Sequence, residues 1–186
     1  MEVSVKSKTS KQMLYISMVS MVMMFAGLTS AYIISRKRED WVSFELPQAL
    51  YISTLLIILS SLTFILAKRS IKKDKRQQTS IYLLATLLLG LGFVYFQVEG
   101  FYQLRAAGFY AAGKDSVVSG ALLVVISLMH LVHIFAGLLV ITVVIYNHFK
   151  QRYNSSLFLG LELGAIFWHF VDILWVLLFV FFYFIR

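Results

Sequence analysis

The 186-residue chain has no cysteine, a single proline and few charged residues, and each shortage removes whole classes of chemistry. Without a thiol there is no disulfide framework, no thiolate zinc or copper site, no iron–sulfur cluster and no cysteine nucleophile. With Pro47 as the sole proline, the chain nearly lacks helix breakers, which argues against the interrupted helices that many transporters use as binding sites. Charged residues make up 14% of the chain, whereas a soluble domain carries about 25%. Apolar residues are abundant instead: 60% of the chain is hydrophobic, 16% is aromatic, and the mean hydropathy is +0.81. Such a balance belongs to a chain whose solvent is a lipid bilayer.

A helix needs about 20 apolar residues to cross the hydrocarbon core. Five runs of that order lie between charge clusters, at 12–35, 47–67, 79–101, 117–146 and 157–185. They are continuous rather than alternating with period two, which favours helices over strands. The fourth run is long enough to require tilt or an overhang. The expected fold is therefore all-α: a polytopic membrane protein forming one domain over residues 1–186, a bundle of five transmembrane helices. Pro47 is expected in the first turn of the second helix, where its missing N–H costs nothing. No internal repeat, low-complexity segment or separate soluble domain is visible, and the segment 102–116 is expected to cap one face.

The linkers give an orientation. Lys68, Arg69, Lys72, Lys73, Lys75 and Arg76 with Asp74 lie between the second and third runs; Lys6, Lys8 and Lys11 with Glu2 precede the first; Lys150 and Arg152 follow the fourth. On the opposite side Arg36, Lys37 and Arg38 balance Glu39, Asp40 and Glu45, while Arg105 and Lys114 balance Glu99 and Asp115. The positive-inside rule places the N-terminus in the cytoplasm and the C-terminus outside. The net charge of +8 is thus explained by topology, and nucleic acid is not an expected partner. A cleaved signal peptide is the competing reading of the first run, but its apolar stretch exceeds the usual h-region of about 7–15 residues.

Ionisable residues within spans usually face a bundle interior or a partner. Here they are Glu99 in the third run, His130 and His133 in the fourth, and Glu162, His169 and Asp172 in the fifth. His130 and His133 share a helical face at i, i+3, a spacing that can bind a metal if other helices add ligands. Hydrogen bonding of neutral histidines to neighbouring helices and carbonyls is the favoured alternative. His169 and Asp172 repeat that spacing and allow either a proton relay or, preferably, a hydrogen-bonded clamp between the last helix and its neighbours. Gly160 and Gly164 have the small-xxx-small spacing of closely approaching helices. Aromatic residues crowd the last helix, some of them suited to an interfacial belt.

The stretch Gly160-Leu161-Glu162-Leu163-Gly164-Ala165 running into Trp168-His169-Phe170-Val171-Asp172-Ile173-Leu174-Trp175 resembles the closing signature of subunit III of haem–copper terminal oxidases. His130-Leu131-Val132-His133 followed by Gly137 is similar to that family's His-x-x-His-x-x-x-Gly, and Gln97-Val98-Glu99 with Tyr102 to its Gln-x-Glu-x-x-Tyr. Ser53, Thr54, Ser60, Ser61 and Thr63 after Pro47 fit the helix before those. The likeness runs from about Gln12 to the C-terminus and matches the five-helix bacterial form. It departs at Met21, where many members carry an embedded glutamate, so a proton-handling role for that acid does not carry over.

The resemblance implies a non-catalytic subunit in the inner membrane of a bacterial cell. It implies oxidase subunit I as main contact, with subunit II and other respiratory-complex subunits as further partners, and membrane lipids, including bound phospholipid. Haems and copper are expected in the partner subunits, with no catalytic, cofactor-binding or metal-binding residue in this chain. The structural or docking candidates are Glu99, His130, His133, Glu162, Trp168, His169, Asp172 and Trp175. The electron donor, cytochrome c or a quinol, is left open. The competing class is a stand-alone transporter or channel with Glu99, His130, His133, His169 and Asp172 along a polar path; an assembly factor is a third.

Overall fold

The computed structural model describes residues 2–39, 41–42, 45–110, 118–153 and 158–185. They form five helices: α1 (Glu2–Ser35), α2 (Gln48–Lys72), α3 (Arg76–Ala106), α4 (Val118–Phe149) and α5 (Leu159–Ile185). All five are long and apolar enough to cross a membrane. The expected run boundaries Val117 and Leu157, the charges of Asp40, Lys114, Asp115 and Arg186, and residues 111–116 of the expected capping segment lie outside the described residues.

Helices overrun the apolar runs wherever no breaker intervenes, because backbone hydrogen bonding continues after hydropathy has ended. Thus α1 reaches back through the lysine-bearing tail to Glu2, α2 extends through Lys68 and Arg69 to Lys72, and α3 occupies Tyr102–Ala106. Left-handed residues mark the ends of α2, α3 and α4. Asp74 turns the α2–α3 hairpin at φ 53°, a conformation aspartate tolerates, and Gly108 follows α3 at φ 87°. Pro47 sits one residue ahead of α2 rather than within its first turn, and its carbonyl accepts a hydrogen bond from the Leu50 N–H at 3.0 Å. At about 1.5 Å per residue, α4 is about 48 Å long against a hydrocarbon core of about 30 Å, so it overhangs.

Helices α2 to α5 close a four-sided bundle in which α2 packs on α3, α3 on α4, α4 on α5 and α5 on α2. Helix α1 stands outside this ring and, among the described residues, packs on α4 and α5 alone of the helices. Its buried residues are few: Phe25 meets the His130 and His133 rings at 6.1 and 5.7 Å, and Tyr32 meets Phe181 and Phe182 at 5.5 and 5.6 Å. Helix direction alternates, which gathers Lys8, Lys11, the basic α2–α3 hairpin, Lys150 and Arg152 at one end of the bundle. Contacts there and at the other end fix the alternation: Lys11 meets Glu162 at 2.9 Å, and Ser119 Oγ donates to the Val42 carbonyl at 2.7 Å.

Trp168 fills the centre of the ring and is fully buried. A methyl group placed on Gly90 of α3 would stand 2.9 Å from its six-membered ring, and one on Gly137 of α4 would stand 2.8 Å from another edge of the same ring. Both helices approach the indole as closely as they do because neither carries a side chain there. Gly164 likewise faces Val140 and Val144 of α4.

Candidate functional site

The polar interior starts from a stripe of hydroxyls on α2. Ser53 and Ser60, and Thr54 and Ser61, are each seven residues apart, so two turns of helix return them to the same side. Helix α5 carries Trp168 and Trp175 at the same interval and runs antiparallel to α2. An indole N–H can only donate. In lipid an unsatisfied donor has no water to turn to, and each tryptophan finds a hydroxyl: Trp168 Nε1 donates to Ser60 Oγ and Trp175 Nε1 to Thr54 Oγ1, both at 3.0 Å. A hydroxyl that accepts still has its own proton to place. Thr54 donates to the Leu50 carbonyl at 2.7 Å, and Ser60 to the Thr86 carbonyl of α3 at 3.3 Å. The stripe also holds α3 through Gln97 Nε2 donating to Ser53 Oγ at 3.0 Å and through the Thr63–Thr86 hydroxyl pair at 2.8 Å.

The structure separates the two halves of the expected His169–Asp172 pair. His169 Nδ1 lies 2.6 Å from Ser61 Oγ, a link between α5 and α2. Asp172 is 3% exposed, and both of its carboxyl oxygens are shielded from the surface. Ser61 stands between the two: its hydroxyl meets His169 and also neighbours the Asp172 carboxyl, which otherwise borders the apolar Ile58, Leu62, Ile173 and Val176 at the α2–α5 groove. His130 and His133 diverge similarly. His133 Nδ1 meets the Met129 carbonyl at 2.7 Å, whereas His130 is wholly buried and neither ring nitrogen has a partner among the described residues. Among the described residues the expected bond from His130 to a neighbouring helix does not form, because aromatic rings surround it: Phe25, Phe93 and Trp175, at 6.1, 6.1 and 5.1 Å. Among the described residues, no three histidine, aspartate or glutamate side chains gather closely enough to hold a metal ion.

The glutamates lie near the helix ends. Glu162, in the first turn of α5, pairs with Lys11 of α1 at 2.9 Å and stands 3.9 Å from Lys68 of α2. Its carboxylate is stabilised there by two cations and by the positive end of a helix dipole, not by burial in the bilayer. Glu99 Oε1 accepts from Gln103 Nε2 at 3.5 Å, and Gln103 Oε1 accepts from the Ala49 N–H in the opening turn of α2 at 3.4 Å. At the basic end His148 Nε2 meets Ser80 Oγ at 3.0 Å, tying α4 to α3. In the α4–α5 linker, burial raises the Tyr153 phenol above its ordinary pKa, partly offset by the Asn147 hydrogen bond and the Arg152 charge.

The α2 hydroxyls, the two indoles, Gln97 and His169 thus face one another across helix interfaces. The family model of cytochrome c oxidase subunit III matches residues 4–186. The chain belongs to this family, the third subunits of haem–copper oxidases. It is 30% identical over 175 residues to cytochrome c oxidase subunit 3 of Thermostichus vulcanus, covering 91% of this chain and 84% of that one. It is 31% identical over 175 residues to cytochrome bo(3) ubiquinol oxidase subunit 3 of Buchnera aphidicola from Acyrthosiphon pisum, covering 91% and 83%. Against cytochrome c oxidase subunit 3 of Aedes aegypti the identity is 28% over 142 residues, 76% of this chain and 51% of that one.

The motif residues of the third subunit therefore have positions. Trp168 and Trp175 stand at the centre of the ring, His169 and Asp172 at the α2–α5 seam, His130 and His133 toward α1, and Glu99 and Glu162 near opposite ends. Sequence reasoning matched the α2 hydroxyls to the family without giving them a role. Their signal was five hydroxyls in a span with no charged residue, two pairs of them at seven-residue spacing.

Proposed function

We propose that this subunit III is a non-catalytic member of a proton-pumping cytochrome c oxidase in the inner membrane of a bacterial cell. It packs on subunit I, with subunit II and other respiratory-complex subunits as further neighbours, and it supports proton uptake and the stability of the complex. The haems and copper reside in the partner subunits. One observation carries this reading: the two buried tryptophans, His169 and Gln97 close their hydrogen bonds on the α2 hydroxyls, making the polar centre a fastening of helices to one another. Bound phospholipid is supported by the groove between α1 and α5, where Val22, Ala26, Leu174, Leu177 and Phe181 present an apolar channel suited to an acyl chain. The basic end faces the cytoplasm by the positive-inside rule.

Purification through a tag on this chain tests the proposal. The expected product holds one copy of this chain per haem-bearing subunit, oxidises cytochrome c, and loses all visible absorption from this chain once the subunits are separated. Stoichiometric haem retained by the isolated chain would overturn the non-catalytic assignment, and oxidation of quinol alone would move the complex to the quinol-oxidising branch.

A further inference from the structure

Between the Trp168 layer and the Val118 end of α4, three fully buried side chains carry polar atoms with no partner among the described residues: Gln97 Oε1, Ser127 Oγ and both ring nitrogens of His130. They share one layer. Gly90 and Gly137 meet at Trp168, and the Phe93 and His130 rings lie 6.1 Å apart, which fixes the antiparallel register of α3 against α4. One turn further along α3 is Gln97 and one turn back along α4 is Ser127, so these two stand at one level beside His130. Trp175 of α5 closes the layer, 5.1 Å from the His130 ring, with its own N–H already given to Thr54.

Ser127 is the informative member. A hydroxyl inside a helix ordinarily bonds back to a carbonyl one turn earlier, as Thr142 of the same helix does to Leu138 at 2.8 Å. Ser127 makes no such bond. It is also small, whereas the same buried stripe of α4 carries Leu123, Ile134 and Leu138, so this level holds room that a larger side chain would fill. Gln97 is held from α2: its Nε2 donates to Ser53 Oγ at 3.0 Å, which fixes the amide with Oε1 on the limb away from that bond.

The chemistry of these atoms selects their ligand. An amide oxygen only accepts, a serine hydroxyl donates and accepts, and a neutral imidazole has one nitrogen of each kind. Among the described residues no three acidic or imidazole side chains gather here to hold a metal ion. Water brings two protons and two lone pairs, and a buried water makes about three hydrogen bonds to groups of this kind. We propose that an ordered water molecule is built into this layer, donating to Gln97 Oε1 and to the bare nitrogen of His130 and accepting from the Ser127 hydroxyl. The remaining imidazole N–H rests among the Phe25 and Phe93 rings, which His130 meets edge to face. Among the described residues, the direct side-chain hydrogen bonds between α3 and α4 are those of His148 at the basic end. The water ties the same two helices in their other half and, through Gln97 and Ser53, joins them to α2.

The site lies wholly within this chain, so its test does not depend on the partner subunits. The full chain, with whatever subunits accompany it, is exposed in lipid nanodiscs to millisecond X-ray pulses, which turn bound water into hydroxyl radicals that oxidise the nearest side chains. Mass spectrometry reads the products. His130 and Trp175 are expected to be oxidised several-fold faster than Trp168, which is equally buried on the same helix as Trp175 and bonded directly to Ser60. Oxidation of all three at the Trp168 rate overturns the proposal. Ser127→Val, which adds volume and removes the hydroxyl, is expected to bring His130 and Trp175 down to the Trp168 rate; undiminished oxidation in that variant overturns it as well. Should the variant fail to fold, the contrast within the wild-type chain decides.

Discussion

Substituting Gly137 with alanine puts a carbon 2.8 Å from one atom of the Trp168 ring and 2.9 Å from the next. Ordinary carbon contacts sit near 3.5–4.0 Å, so the indole has to move by roughly 1 Å. It has little room to do so. Gly90 closes in from α3, and displacement stretches the 3.0 Å bond from Nε1 to Ser60. Overpacking of a tight core costs about 1–3 kcal/mol, and loss of one interhelical hydrogen bond in a membrane adds about 0.6 kcal/mol. The expected destabilisation is therefore about 2–3 kcal/mol, read as a shift in unfolding of the purified subunit in mixed micelles. Gly27→Ala is the internal control, since a methyl group there meets nothing within 4 Å, and its effect should be negligible. The decisive measurement is a double-mutant cycle with Trp168→Phe, which deletes the part of the ring that the new methyl strikes. In that background Gly137→Ala should cost less than about 1 kcal/mol, giving a coupling of about 1 kcal/mol or more. Equal costs in both backgrounds would show that Trp168 does not occupy a slot between the two glycines, and the account of the bundle's centre would be wrong.

Two further outcomes follow from the basic end. Replacing Glu162 with glutamine should free the start of α1 from α5 by about 0.2–1 kcal/mol, as befits a pair whose side chains remain 32% and 26% exposed, with the effect shrinking at high salt; protease accessibility of α1's first turns measures it, and unchanged accessibility at low salt would refute the clasp. Tyr153 should ionise above the ordinary tyrosine value in an ultraviolet titration at 295 nm, because burial disfavours the phenolate. Since the raised pKa belongs to the folded state, the associated stability is fully present below about pH 10 and is lost as the pH rises through the folded value. Coincidence of its titration with that of an exposed tyrosine would contradict its burial.

Hydropathy made all five spans legible because the bilayer imposes one requirement, apolar length, that a single sequence states openly. The ends were less so: the extension of α2 through Lys68 and Arg69 obeys backbone continuity, to which a hydropathy threshold is blind. In the interior, spacing showed that His130 and His133 share a face, and both indeed touch Phe25. Spacing could not show which partner each ionisable residue finds. Ser61 lies 108 positions before His169, and which side chains of α5 share its hydroxyl depends on the rotation of α5 against α2, a tertiary quantity. Glu162 was read as a membrane-embedded acid from its place in an apolar run, yet the helix bundle brings Lys11 and Lys68 to it from two other helices.

The placement of α1 has a consequence for how the chain is made. It is made before α4 and α5, yet its buried contacts are with those two helices. The α2–α3 hairpin can pair as soon as both its arms are inserted, through the Thr63–Thr86 and Ser53–Gln97 links. During that interval α1 lacks the α4 and α5 surfaces on which it packs in the finished bundle. Phe25 meets the His130 and His133 rings only once α4 is inserted, and Tyr32, already beside Trp41, meets Phe181 and Phe182 only once α5 is, so α1 completes its packing after the helices that follow it.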